Sequence, residues 1–223
     1  KKTKVMMIGL DGATWGLIKP WVEEGKLPTI ARLMQEGCYG DLESCMPPMS
    51  APAWKCITTG KDPGKLDIFS FFNLEYDTQK IKISPVSANN FNSKEIWDVL
   101  GENGLKSIVL FVPLTYPPKK INGLMISGQP MPIDNCGTIT YPEELKDEIF
   151  KIVDYRTAPR YEAILEGVEE LMKEHYEFLE IQKTVVKYMI QKEWDFFFFV
   201  LRETDEINHK MWKFVDKEHP EYN

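Results

Sequence analysis

Four side chains in this sequence have types and settings suited to metal-assisted chemistry: Asp11, Ser50, Asp205 and His209. Asp205 and His209 are four apart in Thr204-Asp-Glu-Ile-Asn-His-Lys-Met-Trp212, a segment that reads as helical. Residues i and i+4 share a helix face, so a carboxylate and an imidazole can reach the same ion. An Asp near a helix N-terminus is also favoured by the macrodipole with no metal at all. Ser50 stands where a helix over 51–59 begins. It suits an N-cap that accepts a backbone N–H. The same position places a hydroxyl beside unsatisfied N–H groups and a positive helix end, which can hold a phosphoryl oxygen. Deprotonated through a divalent cation, that hydroxyl becomes a nucleophile toward phosphorus. Asp11 ends a strand-like run and precedes Gly12, which is equally a turn signal. Taken singly, each residue has a plain structural reading; the chemistry lies in their combination.

The elements that must position these groups follow from hydrophobic patterning. Val5–Leu10 has the length and apolar character of a buried strand. Lys26–Glu36 reads as a helix, with Pro28 in its first turn and Gly37 at its C′ position. Tyr39–Cys45 reads as a second strand, and Met46–Ser50 as a rigid extended loop ahead of a helix stopped by Gly60. Ser93–Leu100 is expected as a helix with Ser93 as N-cap, closing near Gly104. Ser107–Val112 is again a strand, and a short apolar run lies at Leu124–Ile126. From about Tyr161 to Lys192, apolar residues recur at helical spacing (Ile164, Val168, Leu171, Met172, Phe178, Ile181, Val185, Val186, Met189), which predicts one long helix or two. Phe196–Leu201 is a further buried strand, with a helical start near Thr204.

Strands separated by helices predict an α/β fold, a three-layer sandwich around a mainly parallel sheet. Ligands of such sheets gather at the carboxyl ends of the strands, where Asp11, Asp205 and His209 fall. The chain is read as a single domain over 1–223. The stretches 61–92 and 113–142 read as excursions; 61–92 and 113–192 are candidate cap-like additions, and loops of this kind carry specificity. Trp15, Trp54, Trp97 and Trp194 sit at core-like positions. Lys55 and Arg202 are close in sequence to the candidate residues, where they either meet a phosphate or take salt-bridged surface roles.

Composition narrows the function classes. The 27 basic and 34 acidic residues give a net charge of -7, which argues against a general nucleic-acid-binding surface. A small anionic, phosphorylated substrate stays compatible, because bound cations reverse the local field. Cys38, Cys45, Cys56 and Cys136 show no metal-ligand spacing and read as reduced thiols in or near the core. The longest apolar run, Phe196–Leu201, is far short of the ~20 residues a membrane span needs. The opening Lys1-Lys-Thr-Lys4 runs straight into a strand and lacks signal-peptide form, so the cytoplasm is the default location. No Met begins the chain, which suggests a processed or trimmed product.

The order of three stretches is more specific than any of these signals. They are Ile8-Gly-Leu-Asp-Gly-Ala-Thr-Trp15, Pro47-Pro-Met-Ser-Ala-Pro-Ala-Trp-Lys-Cys-Ile-Thr-Thr-Gly60 and Glu203-Thr-Asp-Glu-Ile-Asn-His209. Together with Val112-Pro-Leu-Thr-Tyr-Pro-Pro118 they resemble the alkaline phosphatase superfamily, in its type I phosphodiesterase/nucleotide pyrophosphatase branch, over nearly the whole chain. The resemblance implies a site with two divalent metal ions, usually zinc, with manganese as the alternative. Asp11 would ligate the metal that also holds the nucleophile. Ser50 would be that nucleophile and metal ligand, where many relatives carry Thr, and would form a covalent phospho-enzyme. Asp205 and His209 would ligate the other metal. The implied reaction is hydrolysis of a phosphodiester or pyrophosphate bond.

This sequence departs from the family pattern at two places. Nucleotide pyrophosphatases have an Asn three positions after the nucleophile, and Ala53 stands there, which puts a nucleotide substrate in doubt. The family also needs a later Asp-His pair and a further His. The sequence has no Asp-His dipeptide, and its other histidines are His175 and His219. The expectation is therefore that the later ligands lie on a segment absent from a truncated chain, which by itself would be nearly inactive. A phosphotransferase or mutase of the same superfamily shares the first half-reaction, and a non-catalytic protein with an incomplete site is the alternative from another class. A sulfatase is disfavoured, because Trp54 replaces the Arg of the C/S-x-P-x-R motif.

Overall fold

The computed structural model describes residues 3–77, 80–90, 92–131, 137–160, 162 and 167–222, with no side-chain description for 75–77. In chain order the strands are β1 (Val5–Leu10), β2 (Phe72–Asp77), β3 (Lys80–Pro85), β4 (Ser107–Leu110), β5 (Gly123–Ile126), β6 (Thr140–Tyr141) and β7 (Phe196–Leu201). The described helices are α1 (Trp15–Glu23), α2 (Pro28–Glu36), α3 (Ser50–Thr59), α4 (Pro63–Leu66), α5 (Ile96–Glu102), α6 (Leu145–Ile152), α7 (Val168–Met189) and α8 (Glu203–Val215). They fall into two compact units, one of 1–9 with 45–201 and one of 10–44 with 202–223.

The first unit holds a five-stranded sheet in the order β1-β7-β4-β5-β6. Strand β4 pairs in parallel with β7 (Ser107 opposite Phe196) and with β5 (Ser107 opposite Gly123). The short β6 is antiparallel to β5. Every residue of β4 and the first five of β7 are buried, as continuous apolar runs covered on both faces should be. The pleat sends alternate residues of β7 to opposite faces. Phe197 and Phe199 join Ile108, Leu110 and Ile126 against Leu145 and Ile149 of α6 and Val185 and Met189 of α7. Phe196, Phe198 and Val200 join Val109 and Met125 against Trp54 of α3 and Trp97 of α5. Two helical layers therefore enclose the sheet, as the strand and helix pattern predicts.

The structure redraws several local expectations. The 61–92 stretch folds into α4 and a β2–β3 hairpin, with Leu74 opposite Ile83. The stretch 113–142 supplies both β5 and β6, so this segment builds the sheet as well as leaving it. Helix α5 starts later than expected: Glu95, not Ser93, is its N-cap, because Glu95 and Asp98 close a reciprocal capping box. The long helix covers Val168–Met189, and Ile164 and Cys136 lie outside the described residues. Trp54 and Trp97 are buried, while Trp15 and Trp194 are half-buried.

In the second unit, α1 is a helix not assigned from the sequence, and its Gly16 and Pro20 are poor helix residues. It forms with Thr14 as N-cap, whose hydroxyl accepts the Gly16 N–H at 3.3 Å, and keeps Pro20 inside. Helix α2 has Pro28 at its start as predicted, but Gly37 closes it in an extended conformation (φ -124°) rather than a left-handed one. Tyr39–Cys45 is not a strand: it makes no ladder among the described residues, 38–44 are exposed, and Leu42 is 90% exposed. Strand geometry needs a partner for its N–H and C=O groups. Tyr39 instead packs on the Trp15 ring at 5.5 Å, and Trp15 Nε1 donates to Gly40 O at 3.2 Å.

Candidate active site

Strand β1 ends at Leu10, and Asp11 follows it as a buried carboxylate, 7% exposed. Gly12 then turns the chain with φ +68°, a left-handed conformation that glycine adopts without steric cost. A Cβ at Gly12 would lie 2.8 Å from Asp205 Cα and 2.9 Å from its Oδ1. Only a residue without a side chain lets this turn meet the first turn of α8. Two hydrogen bonds hold the meeting: Thr204 Oγ1 donates to Asp11 O at 2.5 Å, and Asn208 Nδ2 donates to Gly12 O at 3.2 Å. Neither Thr204 nor Asn208 was a sequence candidate. A Thr in a helical first turn and a Gly after a strand-end Asp were their only signals.

Helix α8 carries the rest of this cluster. His209 Nε2 lies 3.5 Å from Asp205 Oδ2, one turn away on the same face. His209 is largely exposed and Asp205 about a quarter exposed. Burial holds the Asp205 carboxyl above the usual carboxylate range, with the charge of Asp11 adding to it and His209 opposing. Glu203, Asp205 and Glu206 occupy the first turn, where the helix dipole favours negative charge. Arg202 is occupied by a salt bridge to Glu206 at 2.6 Å, as the surface reading of its sequence position predicts.

Asp205 and His209 are thus brought together on one face of α8, and the Asp11 charge acts on Asp205. A carboxylate and an imidazole one helical turn apart are donor types that suit a divalent cation. Among the described residues, no group of three His, Cys, Asp or Glu side chains meets the geometry of a metal site. The other two histidines are committed elsewhere. His175 is buried in α7, and His219 Nδ1 accepts the Glu221 N–H at 3.0 Å.

Ser50 belongs to the first unit and is the first residue of α3. Its N-cap is Met49, which makes no side-chain cap, so Ser50 sits inside the helix rather than capping it. The first turn carries N–H groups at Ser50 and Ala51. Pro52 has none, and the Ala53 N–H donates to Met49 O at 3.0 Å. No acidic residue lies in this turn, which leaves the positive helix end uncompensated locally. A nucleophilic hydroxyl and a phosphoryl oxygen both suit such a place.

The chain matches the model of the type I phosphodiesterase / nucleotide pyrophosphatase family over residues 5–222. It belongs to that family. Family membership places this phosphodiesterase-family chain in the alkaline phosphatase superfamily. Its fold is similar to that of phosphonoacetate hydrolase from Sinorhizobium meliloti 1021, solved with phosphonoacetate (TM-score 0.63) and with phosphonoformate (TM-score 0.64). Identity is 14% in both cases, and the likeness covers 92% of this chain and 47% of the solved one. The chain therefore spans about half the length of the hydrolase it matches in structure. No curated protein matches it significantly in sequence. Among the described residues, no helix is long and apolar enough to cross a membrane.

Proposed function

We propose that the protein is a metal-dependent hydrolase of phosphodiester or pyrophosphate bonds, with Ser50 as nucleophile and Asp11, Asp205 and His209 as metal ligands. The observation that supports this reading is the Asp205–His209 pair on one face of α8, beside the Gly12 turn that follows Asp11. In this reading Asp11 and Ser50 would be ligands of one divalent ion, and Asp205 and His209 of a second, both zinc or alternatively manganese. Bound ions would supply positive charge that favours the ionised hydroxyl and neutralises phosphoryl oxygens. Further ligands are required, since a firm zinc site takes three or four protein groups.

The chain's own residues would take the following parts in the first half-reaction. Ser50 Oγ passes its proton to solvent and attacks phosphorus, forming an Oγ–P bond as the bond to the leaving alkoxide or phosphate breaks and solvent protonates that group. The N–H groups at the start of α3 favour the phosphoryl oxygens through the helix end. Water then cleaves the phospho-Ser50 ester and releases phosphate or a monoester. The proposed substrate is a small phosphorylated anion, which the phosphonate ligands of the structural neighbour support. Ala53, in place of the Asn that nucleotide pyrophosphatases carry, speaks against a nucleotide.

The test is turnover of bis-p-nitrophenyl phosphate by the full-length protein with Zn²⁺ or Mn²⁺. Metal-dependent turnover that falls at least about 1,000-fold in Ser50→Ala is expected. Turnover indifferent to metal, or unchanged in Ser50→Ala, would sink the reading. Adding an acceptor alcohol separates hydrolysis from phosphoryl transfer by the product formed.

A further inference from the structure

Lys55 lies five residues beyond Ser50 on α3 and is fully buried. Its Nζ donates to Glu95 Oε1 at 2.6 Å, and Thr58 Oγ1 donates to the same oxygen at 3.0 Å. Glu95 is 3% exposed and is the N-cap of α5, where its side chain accepts the Asp98 N–H. Its own N–H donates to Asp98 Oδ2 at 2.9 Å. One carboxylate therefore ties the middle of α3 to the start of α5. Another side of α3 is fixed by Trp54, whose ring lies 6.2 Å from Phe198 and against Gly9 of β1. A Cβ at Gly9 would come 2.3 Å from the Trp54 ring.

A buried ion pair is a poor device for stability, because desolvating both charges offsets most of their attraction. Burial indeed pulls the Lys55 pKa below its ordinary value, against the opposing pull of Glu95. What the pair supplies, and an apolar contact does not, is direction and length. A charge-assisted bond fixes both the rotation of α3 about its axis and its position along it. Ser50 is about 7.5 Å up the same helix, so what restrains Lys55 also restrains the backbone that carries the Ser50 hydroxyl.

We propose that Lys55 and Glu95 form a positioning pair that sets the placement of the Ser50 nucleophile in the first unit. The proposal rests on the reading of Ser50 as nucleophile. Both side chains are buried, so the pair acts through the helix.

The experiment compares kcat and KM for bis-p-nitrophenyl phosphate, with Zn²⁺, in the full-length protein and its variants. Lys55→Met/Glu95→Gln removes both charges but leaves an acceptor for Thr58 and for the start of α5. Expected are a parental melting temperature within a few degrees, a kcat lower by roughly 10- to 100-fold, and a KM within about twofold. Glu95→Asp, which keeps the charge and shortens the reach, is the second variant and should lose kcat in the same way. It decides the matter if the double variant does not fold. A kcat within about twofold of the parent, in a variant with the parental melting temperature, overturns the positioning role. Ser50→Ala runs alongside: if it keeps parental turnover, the nucleophile reading falls and the pair's role falls with it. If Ser50→Ala is dead while the folded pair variants keep parental kcat, the positioning role alone is overturned.

Discussion

Gly12 and Asp205 meet so closely that a Cβ on Gly12 would stand 2.8 Å from the Asp205 Cα. The contact is backbone against backbone, so no side chain can swing away to relieve it. Gly12 also has φ +68°, where an L side chain is strained. Gly12→Ala should therefore cost on the order of 1–3 kcal/mol from strain and displacement of α8. Urea unfolding would read this as a lower midpoint at unchanged m-value. A loss below about 0.5 kcal/mol would show that the turn and α8 part easily, and that the cluster is not held by this contact.

The pairing of Asp11 with Asp205 makes a second prediction. Burial disfavours Asp205 as an anion, and the charge of Asp11 adds to that against the opposing pull of His209. With EDTA present, Asp205→Asn should melt no lower than the parent, since it removes that disfavoured charge. With Zn²⁺ or Mn²⁺ the order should reverse. The full-length parent should gain about 2.7 kcal/mol at a hundredfold excess over Kd, and the variant should gain much less. Thermal melts with and without metal make the comparison. Equal metal-induced shifts in both proteins would remove Asp205 from the ligand set.

Lys55 and Glu95 predict non-additive stability effects. Lys55→Met leaves a carboxylate buried at 3% exposure without its cation, a situation that costs roughly 3–5 kcal/mol. The double variant Lys55→Met/Glu95→Gln should recover most of that loss, because no uncompensated charge stays buried. Denaturant unfolding of the singles and the double closes the cycle. A coupling near zero would mean that the charges are screened and that the pair is not buried in solution.

The parts of this architecture that are local in sequence are the parts that sequence reading recovers. The Phe196–Leu201 run carries its own strand signal, and the spacing of Asp205 and His209 predicts the shared helix face on which they are found. Helix α3 and its Gly60 stop are equally local: Gly60 takes the left-handed C-cap, φ +68°. What escapes is set by distant partners. Lys55 reads as a surface cation until Glu95, forty residues on, is seen to bury it. Glu95 displaces Ser93 as the cap of α5 because its carboxylate serves Lys55, Thr58 and the helix at once. Tyr39–Cys45 has apolar residues enough for a strand but is paired with no other described segment. Thr204 and Asn208 reach back nearly two hundred residues to Asp11 and Gly12, a distance over which periodicity says nothing.

Cys56 offers a test by pH and by chemical labelling. Burial pushes its thiol up to about 11, with the neighbouring Cys45 adding to the shift, against about 8.5 for a free thiol. The thiolate is the reactive form. At pH 8, iodoacetamide should modify Cys56 on the order of 100-fold more slowly than an ordinary exposed thiol, while the exposed Cys38 should label first. Because the folded state binds this proton more tightly than the unfolded chain, the sign for stability follows. The contribution is complete below the unfolded thiol's pKa and is lost as pH rises toward 11. Cys56→Ala should remove that alkaline segment of the pH–stability curve. Mass mapping of the labelled peptides over time gives the rate order, and Cys56 reacting as fast as Cys38 would contradict its burial beside Cys45.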